Sequence, residues 1–129
     1  MTQALKETLR HPSLYLPTPA RIASILPLTS TEKLFTLELP QGISLQHKPG
    51  QFVEVSLPGI GEAPFSISSS PSRSNGRLEL CIRRTGRLTS ALHGLRPGDY
   101  VGLRGPFGRG FPLEQFRGKD LLFAPGGLG

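Results

Sequence analysis

The chain has 129 residues, the length of one domain whose core can form without disulfides. Its single cysteine, Cys81, excludes an internal disulfide and a cysteine-held metal cluster, and no apolar run approaches the ~18 residues of a membrane span. A formal charge of +6 points to anionic partners such as nucleotide phosphates, nucleic acid or an acidic protein, and nine of the eleven arginines fall between Arg73 and Arg117.

Thirteen prolines and sixteen glycines predict many short elements joined by turns. Residues 1–18 read as a lead-in without the apolar core of a signal peptide, which makes a cytoplasmic protein the expectation. Within it, Ala4–Leu9 has the composition of one or two helical turns, stopped at His11-Pro12, and Leu14-Tyr15-Leu16-Pro17 reads as an extended arm. His11 has no second histidine or acid at metal-ligand spacing, and no metal is expected in this chain.

From Pro19 the pattern is β. Strands are predicted at Ala20–Leu26 and at Lys33–Leu39, the latter with Phe35, Leu37 and Leu39 on one face. A third runs from Gln51 to Leu57 with Val53, Val55 and Leu57 alternating. A fourth passes through Phe65-Ser66, and a fifth spans Arg77–Arg83 with Leu78, Leu80 and Ile82 inward. Leu88, Leu92 and Leu95 then recur at helical spacing until Pro97 ends the run, and Tyr100–Arg104 returns to β. This predicts a mainly β fold: a six-stranded antiparallel Greek-key barrel with one short helix. Asp120–Ala124 reads as a further strand running into the glycine loop Pro125–Gly129, the way a parallel nucleotide-binding domain begins. The predicted division is therefore a lead-in at 1–18, a barrel at 19–117 and the start of a truncated nucleotide-binding domain at 118–129.

Two stretches carry chemistry. In Ala63-Pro64-Phe65-Ser66-Ile67-Ser68-Ser69-Ser70-Pro71, alternation places Phe65 and Ile67 on one face and Ser66 and Ser68 on the other, so the strand can offer a flat ligand an aromatic and a hydroxyl. The competing reading is a serine-rich strand end entering a turn. The second stretch is the helix start at Arg87–Ser90. Its first N–H groups lack internal partners, Gly86 permits close approach, Thr89 and Ser90 add hydroxyls, and Arg83, Arg84 and Arg87 add charge, a combination suited to phosphate. Here the competing reading is a helix whose Thr89 bonds only its own backbone. No Gly-x-Ser-x-Gly elbow surrounds the serines, and neither His47 nor His93 has an acid or nucleophile partner in sequence.

In order along the chain, Pro49-Gly50-Gln51-Phe52, Pro64-Phe65-Ser66-Ile67, Gly86–Leu92, Pro97-Gly98-Asp99, Gly105-Pro106-Phe107-Gly108 and Gly126-Gly127-Leu128-Gly129 resemble the ferredoxin–NADP reductase superfamily. The resemblance covers Pro19–Gly129 and is greatest to hydrogenase (sulfhydrogenase) gamma and dihydroorotate dehydrogenase electron-transfer subunits. It implies a domain that binds FAD, takes hydride from NAD(P)H and passes electrons to an iron–sulfur or hydrogenase-type partner subunit. By the same resemblance, Pro64 and Phe65 pack on the flavin, and Ser66 is the catalytic residue beside the atom that receives hydride. Ile82 and Arg83 line the ring and ribityl chain, Leu88, Thr89 and Ser90 hold the pyrophosphate, and Gly126 and Gly127 begin the pyridine-nucleotide loop. Where the family pattern has an arginine for flavin phosphate, this chain has Ala63, and Arg83 or Arg84 is expected to replace that charge.

Two other classes compete. A basic barrel can bind single-stranded nucleic acid by stacking bases on Phe52, Phe65, Phe107 and Phe111. A docking module that kept the barrel and lost its flavin is compatible with Ala63.

Overall fold

The computed structural model describes residues 13–129; the helical turns expected at 4–9, and His11, lie outside them. Six strands form one antiparallel sheet: β1 Thr18–Pro27, β2 Glu32–Glu38, β3 Phe52–Leu57, β4 Gly61–Ser66, β5 Arg77–Arg83 and β6 Tyr100–Phe107. Their order is β4-β3-β6-β1-β2-β5, so β6 crosses back to lie between β1 and β3. The two outer strands meet at Ile67 and Leu80, and the Ser68 N–H donates to the Glu79 carbonyl at 2.8 Å. That contact closes the sheet into a barrel.

Strict alternation fills the interior. Phe35 and Leu37, Val53 and Val55, Leu78, Leu80 and Ile82, and Val101 and Leu103 are all buried, as their period of two requires. Ala20 and Ile22 of β1 and Leu45 of the β2–β3 connection complete that core. Two helices accompany the sheet, α1 at Arg87–His93 and the short α2 at Leu113–Phe116, and a 3₁₀ turn lies at Pro71–Arg73. The apolar spacing of α1 continues to Leu95, but its last turn ends at Gly94, whose N–H bonds the carbonyls of Ser90 and Ala91. The single turn of α2 is too short for a periodic apolar signal.

The Pro97-Gly98-Asp99 turn docks on β1: the Ile22 N–H donates to the Asp99 carbonyl and the Gly98 N–H to the Ile22 carbonyl, both at 2.8 Å. Gly98 has φ +98°, a conformation that excludes most side chains and explains the glycine. On β6, Gly102 lies under the N-terminal arm, where a Cβ would collide with Ser56 Oγ and Pro17 Cβ. The arm is held there by its backbone: Arg104 Nη1 donates to the Leu14 carbonyl at 2.6 Å, while Tyr15 and Leu16 stay exposed.

The strand expected at 120–124 does not form. Residues 117–129 are all exposed, Leu122 at 94% and Phe123 at 74%. A parallel-type strand needs a neighbouring strand for its N–H and C=O groups and helices to cover its faces, and nothing among the described residues offers either.

Candidate functional site

The closing contact between β4 and β5 is a single bridge. Beyond it the two strands form no ladder, and α1 occupies the split. Leu92 of α1 is fully buried, and Leu88 and Ala91 pack with Phe65 and Ile67 against the core. The split therefore gathers three of the segments singled out in the sequence: Pro64–Ser66, Ile82–Arg84 and Leu88–Ser90.

Register decides what β4 presents there. The Ile67 N–H bonds the Gln51 carbonyl, and Phe65 pairs with Val53, so the backbone of Pro64 and Ser66 points away from β3. Proline is tolerated at such an outward position because no ladder N–H is needed. Ser66 keeps its N–H there, its side chain is exposed, and its hydroxyl makes no hydrogen bond among the described residues. Phe65 is half-buried on the opposite face, toward α1.

The other serines have structural work. Ser68 Oγ accepts the Cys81 N–H at 3.3 Å and Ser69 Oγ accepts the Glu79 N–H at 3.0 Å. Both N–H groups lie on the outward edge of β5, so two hydroxyls stand in for the missing part of a strand. His47 Nε2 donates to the Ser69 carbonyl at 3.0 Å and anchors this turn. Sequence reasoning missed His47 and the roles of Ser68 and Ser69, since all depend on register.

At the end of β5, the Ile82 side chain is 1% exposed and belongs to the core. Alternation across the barrel wall requires this, because Cys81 and Arg83 take the outer face. The Ile82 carbonyl accepts from His93 Nε2 at 2.8 Å, tying α1 to β5. Arg83 is not a free charge: its Nε donates to the Glu32 carboxylate at 2.5 Å. Glu32 is 8% exposed and also accepts the hydroxyls of Thr29 and Thr31. The Thr29 hydrogen bond first, then those of Arg83 and Thr31, hold its carboxyl down at about 2. Arg84 differs. Its N–H is fixed by the Thr31 carbonyl at 2.9 Å, and its exposed guanidinium has no carboxylate partner among the described residues.

On α1, Thr89 Oγ1 accepts the N–H groups of Thr85 and Gly86 at 2.8 and 2.9 Å and lies 3.2 Å from the Gly86 carbonyl, to which it donates. Its hydroxyl is engaged by its own loop, as the capping alternative has it. Ser90 and Arg87 remain exposed. Cys81 faces outward, and burial first, then the Glu32 charge, pushes its thiol pKa up, which suits an unreactive residue.

Two expected features are not brought together. Gly126 and Gly127 lie in the exposed tail, where a Cβ on either would meet nothing within 4 Å. The four phenylalanines form no common stacking platform. Phe52 and Phe107 lean on each other at 5.7 Å under Arg104, Phe65 packs toward the core, and Phe111 is exposed. Among the described residues, no helix is long and apolar enough to cross a membrane, and no group of three or more His, Cys, Asp and Glu could hold a metal ion.

Comparison with known proteins places this barrel. The oxidoreductase FAD-binding domain family matches residues 19–111. Sulfhydrogenase 1 subunit gamma of Pyrococcus furiosus is 47% identical over 112 residues, covering 84% of this chain and 38% of that protein. The probable dihydroorotate dehydrogenase B (NAD(+)), electron transfer subunit of Methanocella arvoryzae is 35% identical over 113 residues, covering 88% of this chain and 39% of that protein. Among solved structures, the CS-b5R domains of human Ncb5or in the NAD+ form superpose with a TM-score of 0.69 at 28% identity, over 81% of this chain and 33% of that one. The chain spans well under half the length of these curated relatives. The family match, the sulfhydrogenase gamma and dihydroorotate dehydrogenase relatives and the six-stranded barrel agree, and the chain belongs to the oxidoreductase FAD-binding domain family of ferredoxin reductase type.

Proposed function

We propose that this chain is the flavin-binding part of an NAD(P)H-dependent electron-transfer oxidoreductase, with residues 19–117 holding FAD and residues 118–129 opening a pyridine-nucleotide domain. The observation that carries the reading is the split between β4 and β5. One wall offers the free Ser66 N–H and hydroxyl; the other offers a helix start flanked by Arg84 and Arg87.

The groups present fit a flavin nucleotide. The half-buried Phe65 gives a flat apolar face beside exposed donors, the usual combination in a site for an aromatic cofactor. The helix start leaves the N–H groups of its first turn without internal carbonyls, and these suit a phosphate oxygen. Ala63 shares the inward side of β4 with Phe65, so an arginine there would have faced α1. Arg84 and Arg87 supply positive charge from across the split instead. Arg83, paired with Glu32, contributes its backbone N–H at the outward edge of β5 rather than a free guanidinium.

Bound FAD would supply the chemistry this chain lacks, accepting a hydride from NAD(P)H and releasing electrons one at a time. The chain's part is to orient and to shield. Ser66 places a donor at the open edge of β4, while Phe65, Leu88 and Leu92 exclude water behind it. Both curated relatives described above are named as subunits of larger enzymes, and a partner subunit carrying an iron–sulfur centre is the proposed electron acceptor.

The test is an absorption spectrum of the purified chain before and after incubation with FAD. Flavin bands that survive desalting support the reading. A folded chain that retains no flavin after incubation with excess FAD and desalting overturns it in favour of a docking module.

A further inference from the structure

An open cleft of about 750 Å³ lies on the outer face of β1, β2 and β5, bounded on one side by residues 68–75. We propose that it binds a small zwitterion of the amino-acid or dipeptide kind. Arg73 takes the carboxylate, Glu79 the ammonium, and Ser24, Thr36 and Asn75 the polar groups between. The cleft sits toward the start of β5, away from Ile82, Arg83 and α1, and stands independently of the flavin reading.

Its floor is a row of outward side chains that register sets side by side: Ser24 pairs with Thr36, and Thr36 with Glu79. A β-bulge brings Ser24 into that row. Ile22 pairs with Leu37, and the next pair is Ser24 with Thr36, so Ala23 is the extra residue. Without it, the period of two would turn Ser24 inward with Ile22, which is fully buried. Bulges re-aim side chains in this way next to active sites.

Every residue lining the cleft is polar, which disfavours a flat aromatic or acyl ligand. Much of the lining is already engaged. Arg77 Nη2 donates to the Glu38 carboxylate at 2.6 Å, the hydroxyls of Ser68 and Ser69 hold β5, and that of Ser74 donates to the Pro71 carbonyl at 3.0 Å. One guanidinium and one carboxylate remain. Arg73 and Glu79 line the same cleft, yet neither forms an ion pair among the described residues, with the other or with any third group. A lone anion would meet the charge of Glu79, and a lone cation that of Arg73. A ligand carrying both charges, set apart, satisfies both.

The experiment uses three probes of similar size. Glycylglycine has an ammonium and a carboxylate with a peptide group between them; N-acetylglycine lacks the ammonium, and glycine ethylamide lacks the carboxylate. Each is titrated into the full chain near neutral pH while amide chemical shifts are followed. Glycylglycine is expected to move the amides of Thr36, Asn75 and Glu79 saturably. Each single-charge analogue should bind at least about tenfold more weakly, the effect of losing one charge-assisted hydrogen bond. R73Q should bring glycylglycine down to the affinity of glycine ethylamide, and E79Q to that of N-acetylglycine. R109Q removes a positive charge from another loop and should change affinity less than about twofold, since exposed distant charges are screened.

N-acetylglycine binding as tightly as glycylglycine would make the cleft an anion site, and glycine ethylamide doing so a cation site; either result overturns the proposal. Shifts that do not saturate or that lie elsewhere, and an R109Q loss as large as that of R73Q, overturn it too. So does displacement of glycylglycine by FAD, which would make the cleft an annex of the flavin site. A chain that takes FAD and no glycylglycine overturns the cleft alone; one that takes glycylglycine and no FAD overturns the flavin reading alone. Arg73 lies on an exposed turn, so R73Q keeps the test decisive if E79Q does not fold.

Discussion

Arg83 and Arg84 are adjacent and identical in chemistry, yet their surroundings divide them. Arg83 has given its Nε to a buried carboxylate; Arg84 has a fixed backbone and a free guanidinium. Replacing Arg84 with Gln should therefore weaken FAD binding about tenfold, the scale of a charged hydrogen bond. Arg83→Gln should weaken it less than about threefold, as read by quenching of flavin fluorescence; the reverse order would return the phosphate charge to Arg83. Glu32 makes a prediction about acid. Its folded carboxyl titrates at about 2 against an ordinary 4.5, so its stabilising contribution is whole above pH 4.5 and disappears as pH falls through about 2. The unfolding temperature should fall across that window, and more shallowly in Glu32→Gln. Identical pH profiles for the two proteins would mean that the ion pair adds nothing to folding.

At the scale of elements, the barrel depends on how its last seam is closed. A ladder of backbone pairs joins each other pair of neighbouring strands, but β4 and β5 share one bridge plus the hydroxyls of Ser68 and Ser69. Ser68→Ala with Ser69→Ala leaves two edge N–H groups of β5 without those acceptors. The double variant should lose roughly 1–3 kcal/mol, from about 1 kcal/mol per hydrogen bond and some re-solvation of the edge. A urea midpoint unchanged by the pair would show that water replaces them fully. This seam was also the limit of what could be read from sequence. Val53 with Val55 and Leu78 with Leu80 announce their strands because a period of two is written locally. Ser68 acts on Cys81, thirteen residues on, and Arg83 on Glu32, fifty-one residues back, so neither partner follows from spacing. Thr89 was legible as a cap or as a phosphate donor, and only the positions of the Thr85 and Gly86 N–H groups decided its hydroxyl. The residues at 120–124 have the composition of a strand without the neighbours that would make them one.

Across the whole molecule the excess positive charge is unevenly neutralised. Glu38 takes both Arg21 and Arg77, Glu62 takes Arg104, and Glu32 takes Arg83. Among the described residues, Arg84 and Arg87 beside the split, and Arg73, Arg96 and Arg109 elsewhere, keep exposed guanidinium groups with no carboxylate partner. The barrel thus cancels charge along parts of its outer wall and leaves two of its unpaired arginines beside α1. If that uncancelled charge serves phosphate, affinity for FAD must depend on ionic strength, because exposed charges are screened beyond roughly 8 Å at physiological salt. Riboflavin carries the same ring and ribityl chain without phosphate, so its affinity should stay nearly flat over the same range. Titrations of both ligands from about 0.05 to 0.5 M salt, where screening becomes strong, compare the two slopes directly. A steep slope for FAD with a flat one for riboflavin assigns the charge beside α1 to the phosphates. Equal slopes would mean that salt acts on the barrel itself, and a flat slope for both would leave Phe65, Ser66 and the backbone of β4 and β5 as the whole of the site.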